Sequence, residues 1–198
     1  MNVIADPSSG DQLHHYVIRD SSGAAVLIEA TDGRLTLHDD LNDGGVTGFG
    51  VVTNAPPFGQ QLAHARRVFR GSAPARGGWR SMDRFQRLAL VKAALPSPSN
   101  LQTAIGQAFS VMDTVSTPAG NQRGQDWIKE HTVVGMVRDH SARALYWRTP
   151  QNQQVQRLSL SELDLSESAE RRVLPIGDPS LPWFHNANAS LRPIGSVV

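Results

Sequence analysis

Apolar residues along this chain change their spacing twice. Leu13–Arg19 and residues 24–30 (Ala-Ala-Val-Leu-Ile-Glu-Ala) are short apolar runs separated by Asp20-Ser21-Ser22-Gly23, a pattern that predicts strand, tight turn, strand. Asp32-Gly33 marks a second turn, and Arg34-Leu35-Thr36-Leu37-His38 alternates strictly, as a half-buried strand does. A polar loop over 39–46 leads to a fourth predicted strand, Thr47–Thr53. The period then becomes helical. Phe58, Leu62, Ala65 and Phe69 share one helical face behind Pro57. Phe85, Leu88, Ala89, Val91 and Leu95 form a second face over 83–95, stopped by Pro96. Leu101, Ile105, Ala108, Phe109 and Met112 form a third over 99–115, with Ser99 and Asn100 as candidate caps. After a Pro/Gly/Asn/Gln-rich loop at 116–126, strand spacing returns over 131–138, 143–149 and 154–160.

Four strands, three helices and three strands in separate blocks predict an α+β fold with antiparallel sheets rather than a parallel doubly wound one. From Ser166 onward Pro and small polar residues dominate. The expected division is therefore a structured portion over 1–165 and a mostly irregular tail over 166–198. A chain of 198 residues with 39% hydrophobic and 19% charged residues has a globular composition. Its net charge of +1 and its lack of a basic block argue against a nucleic-acid partner. The adjacent pairs Arg66-Arg67 and Arg171-Arg172 read as solvated faces. No apolar run approaches the ~20 residues of a membrane-spanning helix, so no membrane partner is expected. The basic residues are almost all Arg, with only Lys92 and Lys129, which points to a GC-rich bacterial source. The compartment, periplasm or cytoplasm, stays open.

The chain contains no cysteine, so disulfides, thiolate-ligated zinc and thiol chemistry are excluded from its own residues. His14, His15, His38, His64, His131, His140 and His185 show no ligand spacing, and a metal site would need tertiary convergence. No cofactor is expected. Glycine-rich phosphate loops and the GxSxG nucleophile motif are absent as well. Asp39-Asp40 reads as an exposed turn. Two positions stand out. Asn54, in Thr53-Asn54-Ala55-Pro56 at a predicted strand end, projects an amide able to donate to a developing oxyanion, or else it bonds its own turn. Arg84, near a predicted helix start after a Gly-rich loop, offers a guanidinium to a carboxylate or thiolate, or else covers apolar surface.

In order and spacing, several segments resemble the second half of the choloylglycine hydrolase and penicillin V acylase family. Leu13–Gly23 with Val26-Leu27-Ile28-Glu29 resembles that family's central hairpin. Thr53–Phe58, with Leu62 and Arg66, resembles its Thr-Asn-Ser-Pro segment and the helix behind it. Gly77–Arg87 is similar to its Gly-Asp-x-Ser-Ser-x-Ser-Arg-Phe-x-Arg segment. Thr132–Asp139, Tyr146–Thr149 and Asn152 look like its late strands. The resemblance runs from about residue 13 to 165, and it departs at Ala55, Gly78 and Asp83. Asp83 either engages the neighbouring Arg84 or caps the helix that starts there.

The resemblance implies a partial αββα sandwich of the N-terminal nucleophile hydrolase type with its N-terminal half missing. It makes Asn54 the oxyanion-hole asparagine and Arg84 the active-site arginine. It implies hydrolysis of linear amides (penicillin V, conjugated bile salts or N-acyl lactones) by an N-terminal cysteine whose α-amine is the base. Arg-rich composition tilts that choice toward the penicillin-acylase branch. The partners so implied are a small-molecule amide and either a missing N-terminal half or a separate chain carrying the Cys, with a homo-oligomer possible. This chain alone is expected to be inactive. The competing expectation is a non-catalytic binding or scaffold module on the same fold.

Overall fold

A computed structural model describes residues 15–20, 22, 24–31, 34–39, 50–74, 77–118, 131–185 and 188. The chain divides into two compact units, Met1–Ser116 and Thr117–Val198.

In the first unit, β1 (His15–Arg19), β2 (Ala25–Thr31) and β3 (Arg34–His38) form an antiparallel meander in the order β1-β2-β3. Asp20 builds the first turn. Its backbone N–H donates to Ala24 O at 3.0 Å, and its Oδ1 accepts from Ser22 N and Oγ at 2.8 and 2.6 Å. Pairing His15 with Glu29 and Val17 with Leu27 puts Ala25, Leu27 and Glu29 on one face of the sheet. All three are buried. The opposite face carries Tyr16, Ile18, Leu35 and Leu37, all exposed, with Val26 and Ile28 half-buried among them. Alternation in β3 thus sends its leucines away from the described core and turns Thr36 and His38 toward the buried side.

The expected fourth strand is not formed over its described part. Residues 51–53 join no sheet, and residues 47–49 lie outside the described residues, as do Leu13, His14 and Asp40. The reason is local. Thr53 N–H donates to the side-chain oxygen of Gln61 at 3.0 Å instead of to a neighbouring strand.

Three helices follow: α1 (Phe58–Phe69), α2 (Ser81–Ala94) and α3 (Leu101–Asp113). Pro57 precedes α1 with its ring-fixed φ of −47°. The helix closes on Gly71 at φ +69°, with Ser72 N bonded to Arg67 O and Gly71 N to Val68 O, the paired bonds of a left-handed C-terminal cap. Phe58, Leu62 and Ala65 are buried as their spacing requires, whereas Phe69, the last residue, is 43% exposed. The core joins Leu27 to Phe58, Leu62, Ala65 and Phe85, with Val51 and Val52 packed against it. Phe58 and Phe85 meet edge to face at 6.3 Å. Helix α2 starts two residues before its apolar pattern, carries Asp83 in its positive first turn, and stops before Pro96. On α3 only Phe109 is buried, and Leu101 is half exposed. Asn100 Oδ1 accepts from Thr103 N at 2.8 Å to cap α3. Asn100→Ala should cost about 1 kcal/mol in chemical unfolding; an unchanged midpoint would show that the cap contributes nothing.

The second unit holds β4 (Gly135–Asp139), β5 (Ala144–Arg148) and β6 (Gln156–Ser159), again an antiparallel meander. The strand expected over 131–138 begins later, at Gly135, and Val133 is 66% exposed. Asp139 Oδ1 accepts from Ala142 N at 2.9 Å and closes the β4–β5 turn. Residue 155 precedes β6 rather than belonging to it, and a short 3₁₀ turn, Leu160–Glu162, follows. Residues 166–185 form turns and extended segments without helix or strand. Hydrogen bonds from Ser166 and Ser180 hold the Asp164 and Asp178 carboxyls below their ordinary range. Pro182 O ties this stretch back to the unit by accepting from Asn152 Nδ2 at 3.0 Å and Gln156 Nε2 at 2.9 Å.

Candidate functional site

Asn54 sits between residues 51–53 and the start of α1. Two α2 side chains hold its amide. Ser81 Oγ donates to Asn54 Oδ1 at 3.0 Å, and Arg84 Nη2 donates to the same oxygen at 2.6 Å. Ser81 and Arg84 are three apart on the helix and therefore share a face. Ser81 also accepts from Ala55 N at 3.0 Å through Oγ, and its backbone carbonyl accepts from Thr53 Oγ1 at 3.0 Å. The first turn of α2 is thereby stitched to Thr53, Asn54 and Ala55 in succession. The two residues singled out from sequence, Asn54 and Arg84, are direct hydrogen-bond partners.

This contact fixes which way the amide faces. A guanidinium has donors only, so the Asn54 atom beside it must be the oxygen. The planar amide then carries Nδ2 on its other branch, and Asn54 is exposed. Nδ2 has no hydrogen-bond partner among the described residues. A cationic donor and a hydroxyl pulling on the carbonyl oxygen polarise the amide and strengthen its N–H groups as donors. Chemically, the arrangement offers a preset pair of N–H bonds to an incoming anionic oxygen.

The backbone around Asn54 is held from beneath. Gln61, fully buried, accepts at Oε1 from Thr53 N (3.0 Å) and Thr53 Oγ1 (3.1 Å), and donates from Nε2 to Thr53 O (2.9 Å) and Pro56 O (2.6 Å). The Ala55–Pro56 peptide is cis. Sequence reasoning missed Ser81 and Gln61. Gln61 left a faint signal, being one turn before Ala65 on the inward side of α1. Ser81 left none.

Asp83 resolves differently from both expectations. It is buried, and its carboxylate packs on Gly78, where an added Cβ would stand 2.4 Å from Oδ2. A side chain at 78 would collide with Asp83, which explains why glycine suits that departure from the family pattern. Arg87 donates to Thr114 O at 2.6 Å and Gly78 O at 2.8 Å and lies over the Trp79 ring at 5.6 Å. It holds the loop ahead of α2 in place.

A second polar cluster lies under the site. The Glu29 carboxylate, 4% exposed, lies 2.7 Å from His15 Nε2 and 2.8 Å from His38 Nε2, and it accepts from Phe58 N at 2.5 Å. His15 Nδ1 faces Thr53 O at 2.5 Å. Glu29 was readable in part: in the alternation of β2 it falls on the face of Leu27, where a carboxylate needs partners. Among the described residues no cluster of three or more His, Asp or Glu is arranged to hold a metal ion, and no helix is long and apolar enough to cross a membrane.

Comparison with solved structures places this architecture. Penicillin V acylase from Agrobacterium tumefaciens is 28% identical, with a TM-score of 0.64 over 78% of this chain and 48% of that one. Two variants of conjugated bile acid hydrolase from Clostridium perfringens are each 18% identical with a TM-score of 0.62, covering 76% of this chain and about half of theirs. No protein of curated function matches the sequence. This chain spans about half the length of the solved structures it matches. Two antiparallel sheets with three helices between them in sequence, together with these likenesses, define the N-terminal nucleophile hydrolase class of fold. The family of linear amide C–N hydrolases named for choloylglycine hydrolase matches residues 67–173, more than half of the chain. The chain belongs to that family. Arg84 lies within the matched residues, and Asn54 precedes them.

Proposed function

We propose that this chain supplies the oxyanion-stabilising part of a thiol-dependent linear-amide hydrolase, and that the attacking sulfur comes from polypeptide outside this sequence. The observation that carries the reading is the double grip of Ser81 and Arg84 on Asn54 Oδ1, which sets Nδ2 as a donor. The portion over 1–165 acts as the hydrolase part, with 166–198 as an appended tail.

A cysteine thiolate adds to the amide carbonyl carbon, and the carbonyl π pair moves onto oxygen. Asn54 Nδ2–H donates to that oxyanion, a bond stronger in the transition state than to the neutral carbonyl. Arg84 holds Asn54 in orientation and places positive charge near the thiolate. The cysteine's α-ammonium gives its proton to the leaving nitrogen, the C–N bond breaks, and an acyl-thioester remains. Water, deprotonated by the same amine, then releases the acid and restores the thiol. Substrates are linear amides with bulky apolar acyl groups, such as penicillin V, conjugated bile salts or N-acyl lactones. The absence of cysteine from the chain favours one rival reading, a non-catalytic binding or scaffold module on the same fold.

The decisive experiment isolates the native protein with whatever polypeptide accompanies or precedes this sequence, reads its N-terminus by mass spectrometry, and assays all three substrate classes. The expected result is an N-terminal cysteine, turnover of at least one amide, and loss of turnover on alkylation by iodoacetamide. A native protein without that cysteine and without turnover establishes the binding module instead.

A further inference from the structure

The segment between Thr53 and Phe58 is tied at both ends to one buried carboxylate. At the far end, Glu29 Oε1 accepts the first N–H of α1, from Phe58, at 2.5 Å. At the near end stands His15, whose Nδ1 lies 2.5 Å from Thr53 O and whose Nε2 lies 2.7 Å from Glu29 Oε1, an ion-pair distance without hydrogen-bond geometry. The ring thus fills the space between Thr53 O and the Glu29 carboxylate. His38 Nε2 fixes the other carboxylate oxygen at 2.8 Å, and its ring packs on Phe58 at 5.2 Å. His15 and Glu29 side chains are each 4% exposed, so water does not loosen the clamp. Asn54 is the residue the clamp brackets.

We propose that Glu29 is a positioning residue for the oxyanion donor: through His15 and Phe58 it sets the backbone from which Asn54 presents Nδ2. The inference rests on the oxyanion reading of Asn54. The physical need is plain, since a misplacement of about 1 Å at a reacting centre costs up to about 10²-fold in rate. Glu29 never touches substrate. It acts by denying the Thr53–Phe58 segment freedom, and the burial of its carboxylate is tolerated because Phe58 N and His38 Nε2 hydrogen-bond it and His15 lies against it.

The test compares Glu29→Leu, Glu29→Gln and His15→Phe in the full chain, each with and without Asn54→Ala. Glutamine keeps one acceptor for Phe58 and His15 and turns its amide NH₂ to His38, whose neutral ring can accept. In the assembled enzyme, Glu29→Leu should lower kcat about tenfold or more with KM little changed, Glu29→Gln should restore most of it, and the loss should vanish in an Asn54→Ala background. In ¹⁵N-asparagine-labelled chain, Glu29→Leu and His15→Phe should each shift the Asn54 side-chain NH₂ resonances. Should Glu29→Leu fail to fold, His15→Phe decides, because it cuts only the Thr53 arm. Unmoved Asn54 resonances, or a kcat loss that persists in the Asn54→Ala background, overturn the proposal. An Asn54→Ala chain that keeps full activity instead removes the oxyanion reading, while the resonance shifts still report on Glu29.

Discussion

In the hydrolase proposed above, replacing Asn54 by alanine is expected to lower kcat for amide hydrolysis about 10²–10³-fold, equivalent to about 2.7–4 kcal/mol of lost transition-state stabilisation. KM should barely move, because the bond matters once charge develops on oxygen. The fold should persist. Asn54 is exposed, so its two donors, Ser81 Oγ and Arg84 Nη2, can turn to water once the amide is gone. A stability change beyond about 1 kcal/mol is therefore not expected. Stopped-flow or steady-state assays on equally folded protein decide the matter: undiminished kcat takes the donor role away from Asn54. Asn54→Asp should be worse than alanine. It keeps the bond to Arg84 but presents a second acceptor oxygen, with negative charge, where the oxyanion must form.

The second large effect is on stability. Gln61→Leu fills nearly the same volume but removes four hydrogen bonds inside the fold. Thr53 O keeps His15 as a partner, and Thr53 Oγ1 keeps Ser81 O. Thr53 N–H and Pro56 O are orphaned. At about 1–3 kcal/mol for each buried group left unmet, the loss should reach about 2–6 kcal/mol in denaturant unfolding. Gln61→Glu discriminates within that range. It retains an acceptor for Thr53 N but faces two carbonyls with no donor, so it should be as damaging as leucine or more so. A melting transition unchanged in either variant would mean that the Thr53–Pro56 segment is secured elsewhere.

Much of the architecture was legible because periodicity speaks to pairing. The 20–23 turn and the alternations around it located β1, β2 and β3 to within two residues, and the Phe58–Leu62–Ala65 spacing gave α1 its buried face. The misses have different causes, and at Thr53 a side chain takes over a bond that backbone usually makes. Thr53 reads as strand, yet Gln61 occupies its N–H, so no ladder forms there. The alternation over 34–38 reads as a half-buried strand, yet Leu35 and Leu37 lie on the face left uncovered among the described residues, and alternation cannot say which face is covered. At the site, Asn54 and Arg84 emerged from turn and cap logic combined with family likeness. That they touch is a tertiary fact across thirty residues, beyond the reach of any local pattern. Ser81, Gln61 and the His15–Glu29–His38 cluster belong to the same category, with Glu29 and Gln61 hinted at by their inward positions on β2 and α1.

The Gln61 carboxamide is a peptide group in disguise: one C=O and one N–H₂ laid along Thr53 in place of an adjoining strand. The main-chain N–H and C=O of Thr53, so occupied, offer no pairing site to a passing β-segment.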